Sequence, residues 1–312
     1  MNIQILTEGG KSVGFGHVVR CLAIYVAFEE MNTSPELIVN SDKSILHFLK
    51  SKNYKRFNWL KQQNKLFKIT ESTEVVVIDS YLAEKYLYEK ISETTNGIMV
   101  MIDDFNRIDY PKGIIVNPSI YGNKSKYIRK NGMVYLLGKD YIILRKEFWD
   151  VPEKKINKET KKILITFGGI NHYDLAKKIV NVLKDEFGFN FYIVDSSKNK
   201  LTAKEMLNLM LQSDICISGG GQTTYELARV GVPTIGICFA ENQLGNLMNL
   251  EKVDFLKFAG WFDGKNLFHK IKENVNELDY DSRLKMSKTG KKYVDGQGAK
   301  RIVKEILERR GK

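Results

Sequence analysis

The segment Gly14-Phe15-Gly16-His17 combines two features that chemistry on an anionic substrate needs. It lies between a short apolar run at 3–6 and an apolar-periodic segment at 18–28, a pattern that predicts a strand, a glycine-rich turn and a helix. Glycine lets a backbone approach a ligand closely, and a helix N-terminus attracts anions. Histidine titrates nearest neutral pH. The segment therefore predicts a phosphate-binding turn with a general base, His17; the competing interpretation is a histidine with structural hydrogen bonds alone.

Two more glycine-rich segments follow apolar runs. Gly168-Gly169 comes after the run at 163–167, and Gly219-Gly220-Gly221 comes after the run at 215–218. Glycine also serves turns that bind nothing, but three such segments in one chain indicate a nucleotide or phosphate site. None of them fits the dinucleotide fingerprint or the P-loop pattern, so dinucleotide cofactors and ATP hydrolysis are disfavoured.

Glu226 follows the triple glycine and has two interpretations. In the first, Thr223 caps a helix and Glu226, three residues later, completes a capping box. In the second, its carboxylate accepts hydrogen bonds from ribose hydroxyls while the glycine N–H groups hold phosphates. The spacing alone does not choose between them.

Other polar side chains follow apolar runs. Asp79 and Tyr81 follow the run at 75–78, and Asp103-Asp104 follows the run at 98–102. We expect them at the edge of a cleft, with helix capping and turn formation as the alternative. His172 follows the Gly168 loop and could line the same cleft. No His, Cys, Asp or Glu cluster has metal-ligand spacing, so we expect no tightly held metal and no cofactor.

The elements that must position these residues alternate between strands and helices. Strands are predicted at 3–6, 36–39, 75–78, 98–102, 114–116, 163–167, 191–194, 215–218 and 234–237. Several of them are unbroken β-branched runs, typical of strands buried on both faces of a parallel sheet. Helical patterns lie between them, at 17–30, 173–184 and 224–230 among others. This alternation predicts the α/β class with doubly wound sheets.

A polar, lysine-rich stretch at 150–162 divides the chain into two such series and is predicted to be a linker. We therefore expect two Rossmann-like domains facing across a cleft, an N-terminal one at 1–150 and a C-terminal one at 160–312. The segment from 298 to 310 has the pattern of a basic amphipathic helix. We expect it to pack back on the N-terminal domain.

Composition limits the class of protein. The 312 residues are 43% hydrophobic and 28% charged, with no run of the roughly 20 apolar residues that a membrane span needs. No secretory signal is visible, and three dispersed cysteines (Cys21, Cys216, Cys238) predict a reduced, cytoplasmic compartment. The net charge of +12 allows an anionic partner, but the lysines are dispersed, which favours a solvated surface. We expect no nucleic-acid partner, and a monomer.

The motifs together resemble a known family, the UDP-sugar hydrolases of pseudaminic acid biosynthesis and the related spore-coat polysaccharide proteins. These are GT-B proteins, akin to the glycosyltransferase that makes lipid II. The resemblance covers nearly the whole chain. It is carried in order by Gly-Phe-Gly-His-x-x-Arg-Cys at 14–21, Asp79-x-Tyr81, Asp103-Asp104, Asn117-Pro118, Phe167-Gly168-Gly169, Ser218-Gly219-Gly220-Gly221 with Glu226, and Asn242-Gln243.

The resemblance implies roles for these residues. His17 would activate a water for attack on the anomeric carbon of UDP-2,4-diacetamido-2,4,6-trideoxy-β-L-altropyranose or a relative, without a metal, and Tyr81 would help to place sugar or water. Asn242 and Gln243 would contact sugar or pyrophosphate. The substrate-binding residues implied are Gly14, Gly16, Arg20, Asp104, Gly168, Gly169, Gly219, Gly220, Gly221, Thr223, Glu226, Asn242 and Gln243.

One departure concerns the first strand end. The family often carries Arg-x-Asp before the glycine turn, whereas this chain has Leu6-Thr7-Glu8. Glu8 would stand in for the aspartate, and the loop at 7–12 would face the sugar or its phosphate. The identity of the sugar and of the nucleotide therefore stays open.

Two other functions stay open beside the hydrolase. A GT-B glycosyltransferase would share the fold and pass the sugar to an alcohol. For a lipid-linked acceptor it would need an exposed apolar patch, for which the segment at 48–67 is a candidate, with a core helix and loop as the alternative. A non-catalytic protein that binds an anionic polymer is a third hypothesis, and its binding would collapse with salt.

Overall fold

The computed structural model describes residues 1–122, 127–169, 172–195 and 201–310, and only the backbone of 185–187. The chain forms two compact units. The first joins Met1–Lys146 to Gln297–Lys312, and the second is Glu147–Gly296.

The first unit is built on a parallel sheet of seven described strands in the order β3-β2-β1-β4-β5-β6-β7. The strands are β1 (Ile3–Gly9), β2 (Glu36–Ser41), β3 (Tyr54–Arg56), β4 (Val75–Asp79), β5 (Ile98–Ile102), β6 (Ile114–Asn117) and β7 (Val134–Leu137). β1 and β4 are buried along their whole length. Helices on both faces cover such a sheet, which is why its strands are continuous apolar runs.

The helices of the first unit come from both ends of the chain. They are α1 (Gly16–Glu30), α2 (Gln63–Thr70), α3 (Lys85–Thr94) and α10 (Gly298–Glu308), numbered in chain order. α10 packs on α1. Its apolar face is Ala299, Ile302, Val303 and Ile306, all fully buried at the i, i+3, i+4, i+7 spacing of one helix face.

The second unit has a parallel sheet of five described strands in the order β12-β11-β10-β8-β9. The strands are β8 (Lys162–Thr166), β9 (Asn190–Val194), β10 (Ile215–Gly219), β11 (Thr234–Cys238) and β12 (Leu256–Trp261). The helices are α4 (Tyr173–Phe187), α5 (Ala203–Gln212), α6 (Thr223–Val230), α7 (Glu241–Lys252), α8 (Leu267–Glu277) and α9 (Tyr280–Tyr293). The predicted α/β class with two parallel sheets is confirmed.

Each sheet has one place where the strand order reverses. In the first unit it lies between β1 and β4, and in the second between β8 and β10. Ligands of open α/β sheets bind outside the carboxyl ends of the strands at this reversal. The glycine turns that follow β1, β8 and β10 are therefore where the topology favours binding.

Three described strands were not predicted from sequence. β3 is a short edge strand whose three residues, Tyr54–Arg56, are all exposed, so it has no apolar run to detect. β7 is a mixed run, and β12 contains Gly260 within LKFAGW. Edge strands with one packed neighbour need less apolar sequence, and the prediction missed them for that reason.

Most of the large apolar side chains at 48–67 pack in the core, and Tyr54, at 38% exposure, is the exception. Phe57 is 9% exposed, Trp59 and Leu66 are fully buried, and Leu60 and Phe67 pack against the same core cluster. The Trp59 indole donates a hydrogen bond to the carbonyl of Thr7 at 2.8 Å. The core alternative is therefore the correct one for these residues.

The lysine-rich stretch at 150–162 is held tightly against the second unit. The buried Lys154 amine donates to the carbonyls of Leu211 and Ser213, near the end of α5. Burial lowers the pKa of Lys154 to about 8. Asp214 accepts the N–H groups of Lys161 and Lys162, both at 2.9 Å. This stretch is thus an ordered part of the fold, because its polar groups bind the body of the unit.

Candidate active site

His17 lies in the first turn of α1, beside the last residue of β4. Its Nδ1 is 2.7 Å from Oδ1 of Asp79, and its side chain is 9% exposed. A carboxylate only accepts hydrogen bonds, so the neutral imidazole carries its proton on Nδ1 and leaves a lone pair on Nε2. This pairing of a buried carboxylate with a histidine fits a general base that works through Nε2.

Arg20, one turn further along α1, joins two carboxylates. It donates to both oxygens of Asp79, from Nε at 2.8 Å and Nη2 at 2.7 Å, and through Nη1 to Asp104 at 2.8 and 2.9 Å. Burial alone would raise the pKa of Asp79, but Arg20 and His17 beside it outweigh this and hold that pKa well below its usual range. Asp79 is therefore a permanent anion that orients His17.

Tyr81 completes the group. Its hydroxyl donates to Oδ2 of Asp104 at 2.6 Å, and its ring meets the His17 ring edge-on at 4.3 Å between centroids and 88°. Burial and the charge of Asp104 raise the pKa of Tyr81 far above its usual value. The phenol thus stays protonated. Because its O–H donates to Asp104, its oxygen is free to accept a hydrogen bond from water or a sugar hydroxyl.

The side chain of Glu8 does not face a ligand as expected from sequence. It is fully buried, and its carboxylate accepts hydrogen bonds from the Ser80 hydroxyl at 2.6 Å, the Tyr81 N–H at 2.8 Å and the Leu82 N–H at 3.1 Å. The reason is register: Thr7 pairs with Asp79, so the residue after Thr7 lies beside the segment that follows β4. Glu8 holds the backbone that carries Tyr81.

The two adjacent aspartates after β5 have different roles. Asp103 accepts hydrogen bonds from the N–H groups of Phe105 and Arg107 and from the Tyr127 hydroxyl, so the turn-forming interpretation is right for it. Burial raises the pKa of Asp103. Asp104 instead binds Arg20 and Tyr81. Strand position alone could not separate them.

The glycine turn before α1 is a short hairpin. Gly10 and Gly14 exchange two backbone hydrogen bonds of 2.9 and 2.8 Å, and Gly14 has φ +89°. An added Cβ would meet nothing within 4 Å at Gly14 or at Gly16, the first residue of α1. Both predicted glycines therefore border open space next to His17.

The glycine loops of the second unit follow β8 and β10, the two strands at the reversal of strand order. Gly168 has φ +66°, and a Cβ there would lie 3.7 Å from the Thr223 hydroxyl, so the two loops are neighbours. Gly169 is exposed and Gly219 is the last residue of β10. A Cβ added at Gly220 would lie 2.6 Å from the Leu247 side chain, whereas a Cβ added at Gly221 would meet no atom within 4 Å. The loop is thus packed on one side and open on the other.

Side chains of α7 hold this loop. Oε1 of Gln243 accepts the N–H of Gly220 at 3.2 Å and that of Phe239 at 3.1 Å. Asn246, which sequence reasoning missed, donates to the Gly220 carbonyl and to the Thr224 hydroxyl, both at 2.8 Å. Its i, i+3 spacing from Gln243 was the signal that could have found it. Asn242, one residue before Gln243, is exposed.

The capping-box interpretation of Glu226 is wrong. α6 begins at Thr223, its N-cap position is Gln222, and no side chain caps it. Glu226 is therefore not three residues after a capping threonine. It is 2% exposed and lies in the first turn of α6, directly after the glycine loop.

Aromatic side chains lie next to the same loops. His172 stacks on Phe239 at 4.6 Å between centroids, and Phe239 stacks on Phe262 at 5.4 Å. Phe167 packs 4.9 Å from Phe239. Burial lowers the pKa of His172, so its ring is neutral at physiological pH. This cluster forms an apolar wall at the carboxyl edge of the sheet.

Neither a metal-ligand cluster nor a membrane-spanning helix occurs in the described part of the chain. Among residues 1–122, 127–169, 172–195 and 201–310, no three His, Cys, Asp or Glu side chains are grouped so that they could hold a metal ion. In the same residues, every helix is too short or too polar to cross a bilayer.

Solved structures define the class. The chain aligns over 99% of its length with all of the glycosyltransferase MurG of Acinetobacter baumannii, at a TM-score of 0.71 and 11% identity. It also aligns over 99% of its length with all of the UDP-GlcNAc 2-epimerase of Neisseria meningitidis, at a TM-score of 0.62 and 12% identity. The protein therefore has the GT-B fold.

Sequence relatives are more specific. The chain is 26% identical over 270 residues to the Helicobacter pylori protein named pseudaminic acid cytidylyltransferase and UDP-2,4-diacetamido-2,4,6-trideoxy-beta-L-altropyranose hydrolase, covering 82% of this chain and 48% of that one. It is 23% identical to the Bacillus subtilis spore coat polysaccharide biosynthesis protein SpsG, covering 97% of each. A Methanocaldococcus jannaschii protein, uncharacterized, is 26% identical over 75% of this chain and 55% of its own length.

The chain thus spans about half the length of the first two of these relatives. No protein-family model matches it. The resemblance predicted from the motifs is confirmed: relatives at 23–26% identity carry the names of that hydrolase and of SpsG, and MurG shares the fold.

Proposed function

We propose that this protein hydrolyses a UDP-linked 2,4-diacetamido-2,4,6-trideoxy-hexose, releasing UDP and the free sugar for nonulosonic acid biosynthesis. The observation that carries the proposal is the buried His17–Asp79 pair at the carboxyl end of β4, with Tyr81 against the imidazole. The relative from H. pylori, whose name includes such a hydrolase, supports the substrate class.

The chemistry is one displacement. Nε2 of His17 takes a proton from water, the water oxygen bonds to the anomeric carbon, and the bond from that carbon to the UDP oxygen breaks. The electron pair leaves on the β-phosphate of UDP, and the proton on His17 passes to solvent. Asp79 stabilises the imidazolium that forms, as a carboxylate does in related triads. The Tyr81 oxygen accepts a hydrogen bond that orients the water or the sugar.

The second unit supplies the nucleotide site in this proposal. The N–H groups at Gly168-Gly169 and Gly219–Gly221 and the N-terminus of α6 stabilise the charge that develops on the departing diphosphate. Glu226 accepts hydrogen bonds from the ribose. Since Gln243 already binds the Gly220 N–H, we assign Gln243 to shaping the loop, with Asn242 and Thr223 nearer to the ligand. We further propose that no metal takes part.

The test is acceptor-free release of UDP from a panel of UDP-linked 2,4-diacetamido-trideoxy-hexoses, with chelator present, in H₂¹⁸O. We expect release from at least one sugar, with the label on the sugar and none on UDP, since water attacks carbon. Label on UDP would contradict attack at the anomeric carbon. Release only after an alcohol acceptor is added would establish the glycosyltransferase alternative, and release that needs a divalent cation would contradict metal independence.

His17→Gln tests the base. It keeps a hydrogen-bonding side chain on Asp79 but has no basic nitrogen, so we expect kcat to fall by about 10²–10⁴-fold, the usual worth of a general base. UDP affinity, measured by calorimetry, should stay unchanged. The control is His269→Gln, because His269 is 74% exposed and lies on α8. Equal kcat in both variants would remove His17 from the reaction.

A further inference from the structure

Glu8 is a buried charge that the proposed reaction does not use directly. It follows Thr7 in β1, and its exposure is 0%. A carboxylate removed from water is costly unless hydrogen bonds replace its hydration. Here three donors do so, and all of them belong to the three consecutive residues after β4, Ser80 to Leu82.

The Ser80 hydroxyl extends this contact. It donates to Oε2 of Glu8 and accepts the N–H groups of Leu82 at 3.1 Å and Ala83 at 2.9 Å. Oε1 of the same carboxylate takes the N–H of Tyr81. Three hydrogen bonds to the Glu8 carboxylate and two to the Ser80 hydroxyl therefore hold the turn after β4 around Glu8.

The turn so fixed carries Tyr81, whose side chain has two partners of its own. Its hydroxyl meets Asp104 and its ring meets the edge of His17. A rotation of the Tyr81 backbone would break both contacts, because each depends on where the ring leaves the main chain. The position of Tyr81 against the imidazole of His17 thus depends indirectly on Glu8.

We infer that Glu8 is the positioning residue for Tyr81: through the turn after β4 it holds the phenol against His17. The inference rests on the proposed function only in giving Tyr81 a part in the reaction; the positioning itself is a property of the free protein.

The first test is spectroscopic and needs no substrate. At 4.3 Å between ring centroids, the ring current of Tyr81 should displace the Cε1–H and Cδ2–H resonances of His17, and the chain has four histidines to resolve. We define the displacement as the difference between the wild type and Tyr81→Leu in a ¹H–¹³C spectrum of histidine-labelled protein. Glu8→Gln should lose most of this displacement. The three donors bind both oxygens of the Glu8 carboxylate, and the NH₂ group of an amide cannot accept a hydrogen bond. Tyr81→Phe should keep the displacement.

The matched control is Asp214→Asn. Asp214 is also a buried carboxylate, 4% exposed, that accepts two consecutive backbone N–H groups and one side-chain amide, but in the second unit. Asp214→Asn should lower the free energy of unfolding by about as much as Glu8→Gln does, and it should leave the His17 resonances unchanged. Wild-type displacement in Glu8→Gln, or loss of it in both variants, would overturn the inference.

Kinetics provide the second test, and Glu8→Asp is the variant to use if Glu8→Gln does not fold. Its carboxylate is one methylene shorter and cannot reach the Tyr81 and Leu82 N–H groups from the same backbone. We expect kcat to fall about 10²-fold, as for a misplacement of about 1 Å, with UDP affinity unchanged. An unchanged kcat would contradict the inference. If the wild type releases no UDP, the proposed function fails while the resonance test still decides the positioning.

Discussion

The guanidinium of Arg20 binds Asp79 and Asp104 at once, so one buried cation is shared by two carboxylates. The carboxylates in turn hold His17 and Tyr81. Burial works against the charge of Arg20, but the two aspartates outweigh it and raise its pKa. The surroundings of His17 are therefore set by four linked side chains, Arg20, Asp79, Asp104 and Tyr81, and not by one partner.

The Asp79→Asn variant tests this balance through pH. A folded-state pKa held below the usual value means that the contribution of Asp79 to stability is present above the ordinary aspartate pKa of about 3.9 and is lost as pH falls below it. We expect the variant to lose about 3 kcal/mol at pH 7, the cost of breaking a buried pair. The difference in Tm between wild type and variant should shrink below about pH 4.

The control for that experiment is Asp109→Asn. Asp109 is 54% exposed and pairs with Lys85 and Lys130 at the surface, so the loss should be about 1 kcal/mol or less. A Tm difference for Asp79→Asn that stays constant from pH 7 to pH 3 would contradict a low folded-state pKa for Asp79.

Residues in motifs at strand ends could be predicted from the sequence, whereas a side-chain direction that depends on strand register could not. His17, Arg20, Asp104 and Tyr81 stand in motifs beside strand ends, and the fold brings them together as those motifs indicated. Glu8 was placed at the ligand because its strand end was known but its register against β4 was not. Side-chain direction depends on such pairings, and a single sequence does not contain them.

At the scale of elements, the three predicted glycine turns follow strands that border a reversal of strand order, β1 in the first unit and β8 and β10 in the second. Parallel strands place their carboxyl ends on one edge, so the ends of β1, β4 and β5 collect His17, Asp79 and Asp104 there. Strand runs in the sequence were enough to predict this edge. The order of the strands could not be predicted, because β1 pairs with β4 through residues 72 positions apart, such as Ile3 with Val75, and no local pattern encodes that contact.

The hydrogen bonds from α7 to the glycine loop after β10 lead to a prediction about nucleotide binding. Asn246→Ala removes the donors to Gly220 and Thr224, and the loosened loop should bind UDP about tenfold more weakly, a change of about 1.4 kcal/mol. Calorimetric titration with UDP measures this. Asn249→Ala, the same substitution one turn later on α7, is the control and should bind as the wild type does; equal affinities in both variants would contradict the prediction.

At the scale of the whole molecule, the chain leaves the first unit at Lys146 and returns to it at Gln297. The apolar face of the returning helix α10 packs on α1. Two ion pairs add to this contact, Lys300 with Glu30 and Arg310 with Glu74. A Cβ on Gly298 would come within 2.1 Å of the Ile142 carbonyl, so glycine is required where the helix begins. The expectation of a basic amphipathic helix at 298–310 anticipated this element.

Ile302→Ala tests whether α10 belongs energetically to the first unit. Its side chain is fully buried, so the cavity should cost about 2–5 kcal/mol. Hydrogen exchange followed by mass spectrometry should show faster exchange in α10 and α1 and no change in β8 or β10. Ile179→Ala in α4, at 1% exposure, should give the reverse pattern. Faster exchange of the second unit in Ile302→Ala would contradict the prediction.

The return of α10 to α1 has a consequence for the chain during its synthesis. The first 146 residues emerge from the ribosome long before the helix that covers α1, because the whole of Glu147–Gly296 is translated in between. At about 5–20 residues per second that interval lasts roughly 10–30 s. For that time the apolar side of α1 stays uncovered, and the unit that holds His17 becomes complete only after the second unit has been translated.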